Sequence, residues 1–288
     1  MNNPLVSVLI TVYNREKYLG AAIDSVINSS YPHWELIILD DCSSDNSLEI
    51  ANHYCKKDER IKAFSNKNRL GQFRNRNEIA GYANGKYLKF LDSDDMIYPF
   101  GIEQLVYYME MFPDSGYGLC SIDQDNERMF PYCLDPKDAY FMNYFDKPIF
   151  HKAPLSSIIK RDNFTTCGGF PYESVSGDFA MWNYLSQLFP VVLMPHGIVW
   201  YRIHTEQEMQ KTRENVSVQF DYLKVEEFFL NHSDCPLMGN DKLKAIRNNN
   251  NKIRKFIFWK LRSNGIRTFF KLLKENRKII QLDLVSSR

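Results

Sequence analysis

The first 122 residues alternate, at short and regular intervals, between β-branched apolar runs and segments whose apolar residues recur with helical spacing. Leu5–Val12, Trp34–Leu39, Ile61–Ser65, Tyr87–Leu91 and Gly118–Ile122 read as strands. Between them, Leu19, Ala22, Ile23 and Val26 mark a first helix, with Asn14 placed to cap it. Leu48, Ala51 and Tyr54 mark a second helix over Ser47–Tyr54, with Ser44 or Asp45 as its cap. A third opens at Gly71 and ends near Ala83-Asn84-Gly85. A fourth, Gly101–Phe112, carries Ile102, Leu105, Val106 and Met109 on one face before Pro113 stops it. Strands joined by single helices run parallel through right-handed crossovers, and runs this apolar must be covered on both faces. The spacing therefore predicts an α/β fold, with a mainly parallel sheet flanked by helices.

Beyond residue 122 the pattern weakens. From Asn126 to Asn163, with prolines at 131, 136, 148 and 154, the chain reads as loops and short strands. Cys167–Pro171 is a tight turn, and Asp178 begins an aromatic-rich helix offering Trp182, Tyr184, Leu185 and Leu188 to the core. Val191–Met194 and Ile198–Ile203 are short strands, and Asn215–Asn231 is helical. Asn248–Asn251 marks a loop or helix break. In the last helix Ile266, Phe269, Phe270 and Leu273 fall on one face and Arg267, Lys271, Lys274 and Lys278 on another. With Lys252, Arg254, Lys255, Lys260 and Arg262 just before it, the tail is strongly basic.

Length and charge exclude several classes. A chain of 288 residues can bury a substantial core, and a net charge of +1 gives no whole-chain case for nucleic acid. No run approaches the ~20 apolar residues that span a bilayer, and Met1–Ser7 lacks the pattern of a secretory signal. The six cysteines include no C-x-x-C pair, which argues against a structural zinc site and for reduced thiols in a cytoplasmic protein.

The chemistry is concentrated where the fourth strand ends. Asp92, Asp94 and Asp95 arrive together after Leu91. Gathering carboxylates costs free energy unless cations or hydrogen-bond donors offset their repulsion. The carboxyl end of a strand in an open α/β sheet is also where ligands bind. A divalent cation holding a phosphorylated substrate is one reading of this cluster, and a solvated acidic turn is the other.

Taken in order, Val6–Asn14, Ala22–Asn28, Tyr31-Pro32, Glu35–Asp41, Gly71–Asn77, Gly85–Asp95, Gly168–Phe170 with Asp178 and Trp182, and Tyr201–His204 resemble the family 2 inverting glycosyltransferases of the GT-A fold. The resemblance covers about residues 5 to 205. It implies a GT-A catalytic domain over 1–205, with a nucleotide-binding half to about 95 and an acceptor half from 96, followed by a helical, basic extension over 206–288. It departs from the family at two places. Cys42 stands where glycine is usual, which predicts an altered loop, and Gly177 replaces an acidic residue before Asp178.

The resemblance implies a role for each matching residue. Asp41 contacts the nucleotide, and Thr11, Tyr13 and Arg15 surround the base and ribose; Asp40 is structural. Asp94 holds Mg²⁺ or Mn²⁺, His204 serves the ion as a further metal ligand or the diphosphate as a donor, and Asp92 serves the ion's surroundings or the ribose, beside Ser93. Hard carboxylate oxygens suit either ion. Arg76 complements these carboxylates or the nucleotide, and Arg202 the diphosphate. Asp178 is the general base that takes a proton from the acceptor hydroxyl. The expected partners are a nucleotide-diphosphate sugar, a UDP-sugar first, and a glycan or lipid-linked acceptor of surface polysaccharide assembly. An amphipathic basic tail also suits peripheral contact with the inner face of a membrane, or else packing of its apolar stripe on the catalytic domain. A sugar-nucleotide pyrophosphorylase would need a Gly-rich basic loop after the first strand, where Thr11–Asn14 stands instead. A non-catalytic sugar-nucleotide or glycan-binding protein would not need Asp41, Asp94, Asp178 and His204 together.

Overall fold

The computed structural model describes residues 3–171, 176–204, 215–276 and 282. Its first half has the expected alternation: β1 (Val6–Val12), α1 (Glu16–Ile27), β2 (Trp34–Asp40), α2 (Ser47–Cys55), β3 (Ile61–Ser65), α3 (Gln72–Ala80), β4 (Tyr87–Phe90), β5 (Met96–Ile97), α4 (Gly101–Met111) and β6 (Tyr117–Leu119). The second half comprises β7 (Tyr132–Leu134), α5 (Pro136–Phe141), β8 (Ser157–Lys160), α6 (Arg161–Thr166), α7 (Gly177–Leu188), β9 (Val191–Leu193), β10 (Val199–Trp200), α8 (Val216–Asn231) and α9 (Gly239–Asn276).

The large sheet has the order β3-β2-β1-β4-β8-β6-β9-β7. β3, β2, β1 and β4 are mutually parallel, so their carboxyl ends form one edge. β8 enters antiparallel between β4 and β6, which leaves β6 running in the same direction as β4 and parallel to β9. β7 closes the sheet antiparallel to β9, and β5 with β10 forms a separate two-stranded ribbon.

Strand period 2 divides the core between two faces. Val6, Val8, Ile10 and Val12 of β1, with Leu36 and Ile38 of β2, pack beneath α1 and α4. Leu9, Ile37, Leu39, Leu88 and Phe90 face the other way, toward Phe73 of α3 and Phe179, Met181 and Trp182 of α7. Val225, Phe229 and Leu230 of α8 join this second face, so the C-terminal segment completes the core of the sheet. Ile253, Ile257 and Leu272 of α9 form a smaller cluster with Phe220.

Several sequence expectations are corrected. Asn14 does not cap α1: its backbone is left-handed (φ 51°), and its Oδ1 accepts from the Ser44 N–H at 2.8 Å, joining the loops that follow β1 and β2. The stretch 126–163 is largely regular, holding β7, α5, a π-helical turn, a 3-10 turn, β8 and the start of α6. Asn248–Asn251 lies inside α9, where the Asn249 amide donates to the Leu223 carbonyl at 3.1 Å, and the break comes instead at Gly265 (φ 79°). Phe270 is exposed and Leu272 takes the buried position on the last helix. The strand expected over Ile198–Ile203 is reduced to Val199–Trp200. Lys278 lies outside the described residues.

Candidate active site

The carboxyl ends of β1, β2 and β4 meet at one edge, and the polar residues gather there. Asp94 lies after β4, where its Oδ2 accepts from the Arg15 Nε at 3.2 Å and lies 3.1 Å from the His204 Nε2. The His204 ring stands against Tyr18, with centroids 4.6 Å apart. Arg202 donates through Nε to the Asp94 carbonyl and through its backbone N–H to Asp95 Oδ1, both at 2.8 Å. Residues 202 and 204 are thus fastened to residues 94 and 95 across more than a hundred positions of sequence.

Asp92 turns away from this group. Its Oδ1 accepts from Arg76 Nη2 at 2.5 Å, and Arg76 is buried with its Nη1 lacking a hydrogen-bond partner. Asp92 is thus held by Arg76, while Asp94 is held by Arg15 and His204. Among the described residues no three His, Cys, Asp or Glu side chains are gathered as a metal would require. Asp94 and His204 remain a carboxylate–imidazole pair that fits a hard divalent ion whose other positions are filled by phosphate oxygens and water. Ser93 is buried within the same turn.

Asp95 is buried, and its pKa is pushed up to about 8 by that burial and by Asp92 and Asp94. Beneath the turn lies Lys89, wholly buried on β4, whose ammonium donates to the Leu155 carbonyl. Burial lowers its pKa to about 8, against the opposing pull of Cys120, Asp92 and Asp95. No role for Lys89 is legible in the motifs, although a lysine inside an apolar strand is a signal that it must find partners.

On the β2 side, Asp41 is buried and already engaged. Its Oδ1 accepts from Asn66 Nδ2 (2.8 Å) and the Leu70 N–H (2.7 Å), and its Oδ2 from the Gly71 N–H (2.9 Å). A carboxylate has about four acceptor positions, so one remains on Oδ2. Asp41 thus anchors the 66–71 loop, whose Arg69 guanidinium lies 3.8 Å from the centre of the Tyr13 ring. Thr11 and Tyr13 are partly exposed beside it. Asp40 is structural, receiving the Ser43 N–H at 3.0 Å. Cys42 adopts φ 63°, the left-handed conformation that glycine would take there.

Asp178 lies in the first turn of α7 rather than at its cap, which is Ser176. Its Oδ1 accepts from the Phe179 N–H at 2.7 Å. Burial pushes its pKa up to about 6, opposed by that hydrogen bond and by Arg76, while Asp92 reinforces the rise. Arg76 thus stands between Asp92 and the electrostatic neighbourhood of Asp178. The missing acid at position 177 also has a physical cause. A Cβ on Gly177 would lie 2.3 Å from the Pro171 carbonyl oxygen and 2.9 Å from the Phe73 ring.

A family model described as glycosyl transferase family 2 matches residues 7–164, more than half of the chain. An uncharacterized glycosyltransferase of Haemophilus influenzae is 28% identical over 221 residues, covering 72% of this chain and 68% of that protein. A putative teichuronic acid biosynthesis glycosyltransferase of Bacillus subtilis, TuaG, is 41% identical over 124 residues, 42% of this chain and 49% of that one. Among solved structures, the 1–349 portion of S. aureus TarS in complex with UDP-GlcNAc superposes with a TM-score of 0.67 at 19% identity, over 87% of this chain and 73% of that chain. A mannosyltransferase of Pyrobaculum calidifontis in complex with GDP-Man and Mn²⁺ gives 0.63 at 13% identity, over 96% and 80%. The α/β architecture is that of the GT-A glycosyltransferases.

Proposed function

Because this chain belongs to glycosyl transferase family 2, we propose that it moves a sugar from a nucleotide-diphosphate donor to an acceptor hydroxyl, by single displacement with inversion. The observation that carries the reading is the joining of two groups of residues through one ion pair. Asp94, His204, Arg15 and Arg202 form the first group, Asp178 is the second, and Arg76–Asp92 lies between them. Leaving-group stabilisation and proton removal are the two demands of this chemistry, and they need distinct, adjacent sites.

In this reading Tyr13, Thr11 and the free acceptor position on Asp41 receive the base and ribose. Arg15 and Arg202 supply guanidinium groups to the diphosphate, whose negative charge grows as the bond to the sugar breaks. Asp94 and His204 would hold Mg²⁺ or Mn²⁺, which would supply Lewis-acid neutralisation of that charge. Asp178, with a pKa near 6, is ionised at neutral pH and basic enough to take the acceptor proton as attack proceeds. The complexes named for TarS and the mannosyltransferase support a UDP- or GDP-sugar as donor, and the TuaG relationship supports an acceptor in surface polysaccharide assembly.

The test is a thermal-shift screen of UDP- and GDP-sugars with and without MnCl₂, followed by an assay of nucleoside diphosphate release. A matched donor raises the melting temperature by mass action, and Asp94→Ala abolishes the Mn²⁺-dependent part of the rise. No donor-dependent shift with any sugar nucleotide would defeat the reading, and binding without turnover would leave a binding protein.

The tail supports a second contact. Phe258, Trp259 and Phe270 are more than half exposed on α9, among exposed Arg254, Lys255, Arg262, Arg267, Lys271 and Lys274. Aromatic rings set among cations match the interface of an anionic membrane, where a lipid-linked acceptor would reside. No helix among the described residues is long and apolar enough to cross a membrane. Phe258→Ser with Trp259→Ser should reduce co-sedimentation with phosphatidylglycerol-containing liposomes, and unchanged pelleting would remove this contact.

A further inference from the structure

We propose that Tyr222 of α8 and His151 form a platform for a pyranose ring of the acceptor, so that a helix outside the family-matched segment completes the catalytic cleft. The proposal rests on the reading of Asp178 as the base. Phe179, the next residue after Asp178, is fully buried and lies under the His151 ring, with centroids 4.4 Å apart and planes inclined by 22°. Tyr222 closes the group, 5.4 Å from His151 and 5.5 Å from Phe179. The three rings come from the loop before β8, from α7 and from α8. His151 is exposed and Tyr222 partly so, which gives the buried Phe179 a solvent-facing cover of two aromatic rings.

The position of this cluster gives it a chemical meaning. Tyr222 lies within the electrostatic reach of Asp178. The helix that bears it also fixes the start of α7, because Asp221 Oδ2 accepts from the Ser176 hydroxyl at 2.6 Å and from its N–H at 3.2 Å. A group bound on the rings would therefore sit beside the base, at the far end of the site from Asp41 and Tyr13. A pyranose has an apolar face of C–H groups and a polar rim of hydroxyls. Aromatic rings match that face, while a phenol, an imidazole and a carboxylate around them match the rim. His151 is suited to this as a neutral ring, since its contact with the Phe179 and Tyr222 rings and the nearby Lys252 ammonium lower its pKa.

Saturation-transfer difference NMR on the full chain tests the platform, with methyl β-D-glucopyranoside, methyl N-acetyl-β-D-glucosaminide and methyl α-D-mannopyranoside as probes. At least one glycoside should receive saturation from the wild-type protein. The signal should fall at least fivefold in Tyr222→Ala and His151→Ala and persist in Tyr222→Phe. The donor-induced thermal shift should be unchanged in all three variants. His151→Ala, at an exposed position, keeps the test decisive if Tyr222→Ala fails to fold. A donor shift in the wild type without any glycoside signal, or a signal undiminished in His151→Ala and any folded Tyr222→Ala, overturns the platform alone. Absence of both donor shift and glycoside signal overturns the parent reading as well.

Discussion

Replacing Asp178 by Asn preserves the size of the side chain and removes its charge, which separates the catalytic role from the structural one. Ionised Asp178 is disfavoured only in the folded protein, where burial raises its pKa from 3.8 to about 6. The fold therefore carries a cost that is full above pH 6, shrinks as the pH falls, and vanishes below 3.8, where the carboxyl is protonated in both states. The rise corresponds to at most about 3 kcal/mol, and burying the asparagine amide returns about 1 kcal/mol of it. Asp178→Asn should thus be more stable than the wild type by about 1–2 kcal/mol at pH 7, or roughly 3–6 °C in melting temperature. Melts of both proteins from pH 4 to 8 check the sign: the gap should be widest at pH 7–8 and close near pH 4. The same variant should lose about 10²- to 10⁴-fold in transfer rate. Wild-type transfer should fall about tenfold from pH 7 to pH 5, following protonation of a single group of pKa near 6. A melting gap independent of pH, or transfer within tenfold of wild type, would refute both the buried-charge argument and the assignment of the base.

Two further substitutions probe the surroundings of that residue, and a third probes the loop after β2. Arg76→Met removes the cation that holds the Asp178 pKa down, so the acid limb of the pH–rate profile should move to higher pH, while loss of the Asp92 ion pair costs about 3 kcal/mol or more in denaturant unfolding. An unmoved limb would detach Arg76 from the base. Gly177→Ala places a Cβ 2.3 Å from the Pro171 carbonyl, so stability should fall by about 2 kcal/mol or more and transfer should fall with it; a wild-type melting temperature would show that the backbone yields there. Cys42→Gly relieves a left-handed non-glycine residue, worth about 1–2 kcal/mol, against about 0.5–1 kcal/mol of added chain entropy. Its melting temperature should rise by a few degrees at most, and a fall would give more weight to the Cys42 thiol's bond to the Asn66 carbonyl.

The first half of the fold was legible because each strand is decided by its own residues. Val6–Val12 and Trp34–Asp40 are apolar on both faces, and the helices between them are amphipathic, so local pattern and tertiary position agree. Residues 126–163 were not legible for the opposite reason. β7 is three residues long, and β8 owes its place to pairing with β4 and β6 on either side, which no short window contains. The asparagine run 248–251 misled because propensity is a weak prior, and the buried Asn249 is held in the helix by the Leu223 carbonyl. In the site, Asp94 and Asp178 could be named from the family resemblance, but most of their environments could not. The resemblance already set Arg76 against these carboxylates, whereas the donors on Asp41 and the His151 and Tyr222 rings near Asp178 come from segments distant in sequence.

The carboxylate cluster shows how far a cost argument reaches. Three adjacent acids after a buried strand implied that something must offset their repulsion, and a bound cation was one candidate. The protein offsets much of it internally. Arg76 pairs with Asp92, Arg15 and His204 converge on one oxygen of Asp94, and the Arg202 N–H serves Asp95 above the buried Lys89 ammonium. Electrostatic cost alone therefore does not require a metal, and the case for one rests on Asp94 and His204 meeting at 3.1 Å. A divalent ion held through Asp94 Oδ2 would compete with Arg15 for that oxygen. A donor diphosphate would resolve that competition, because it offers the guanidinium a second anionic partner at the moment the site gains positive charge. Affinity for Mn²⁺ should accordingly be weak for the protein alone and rise when a nucleoside diphosphate is present, a coupling that titration calorimetry with and without UDP would measure.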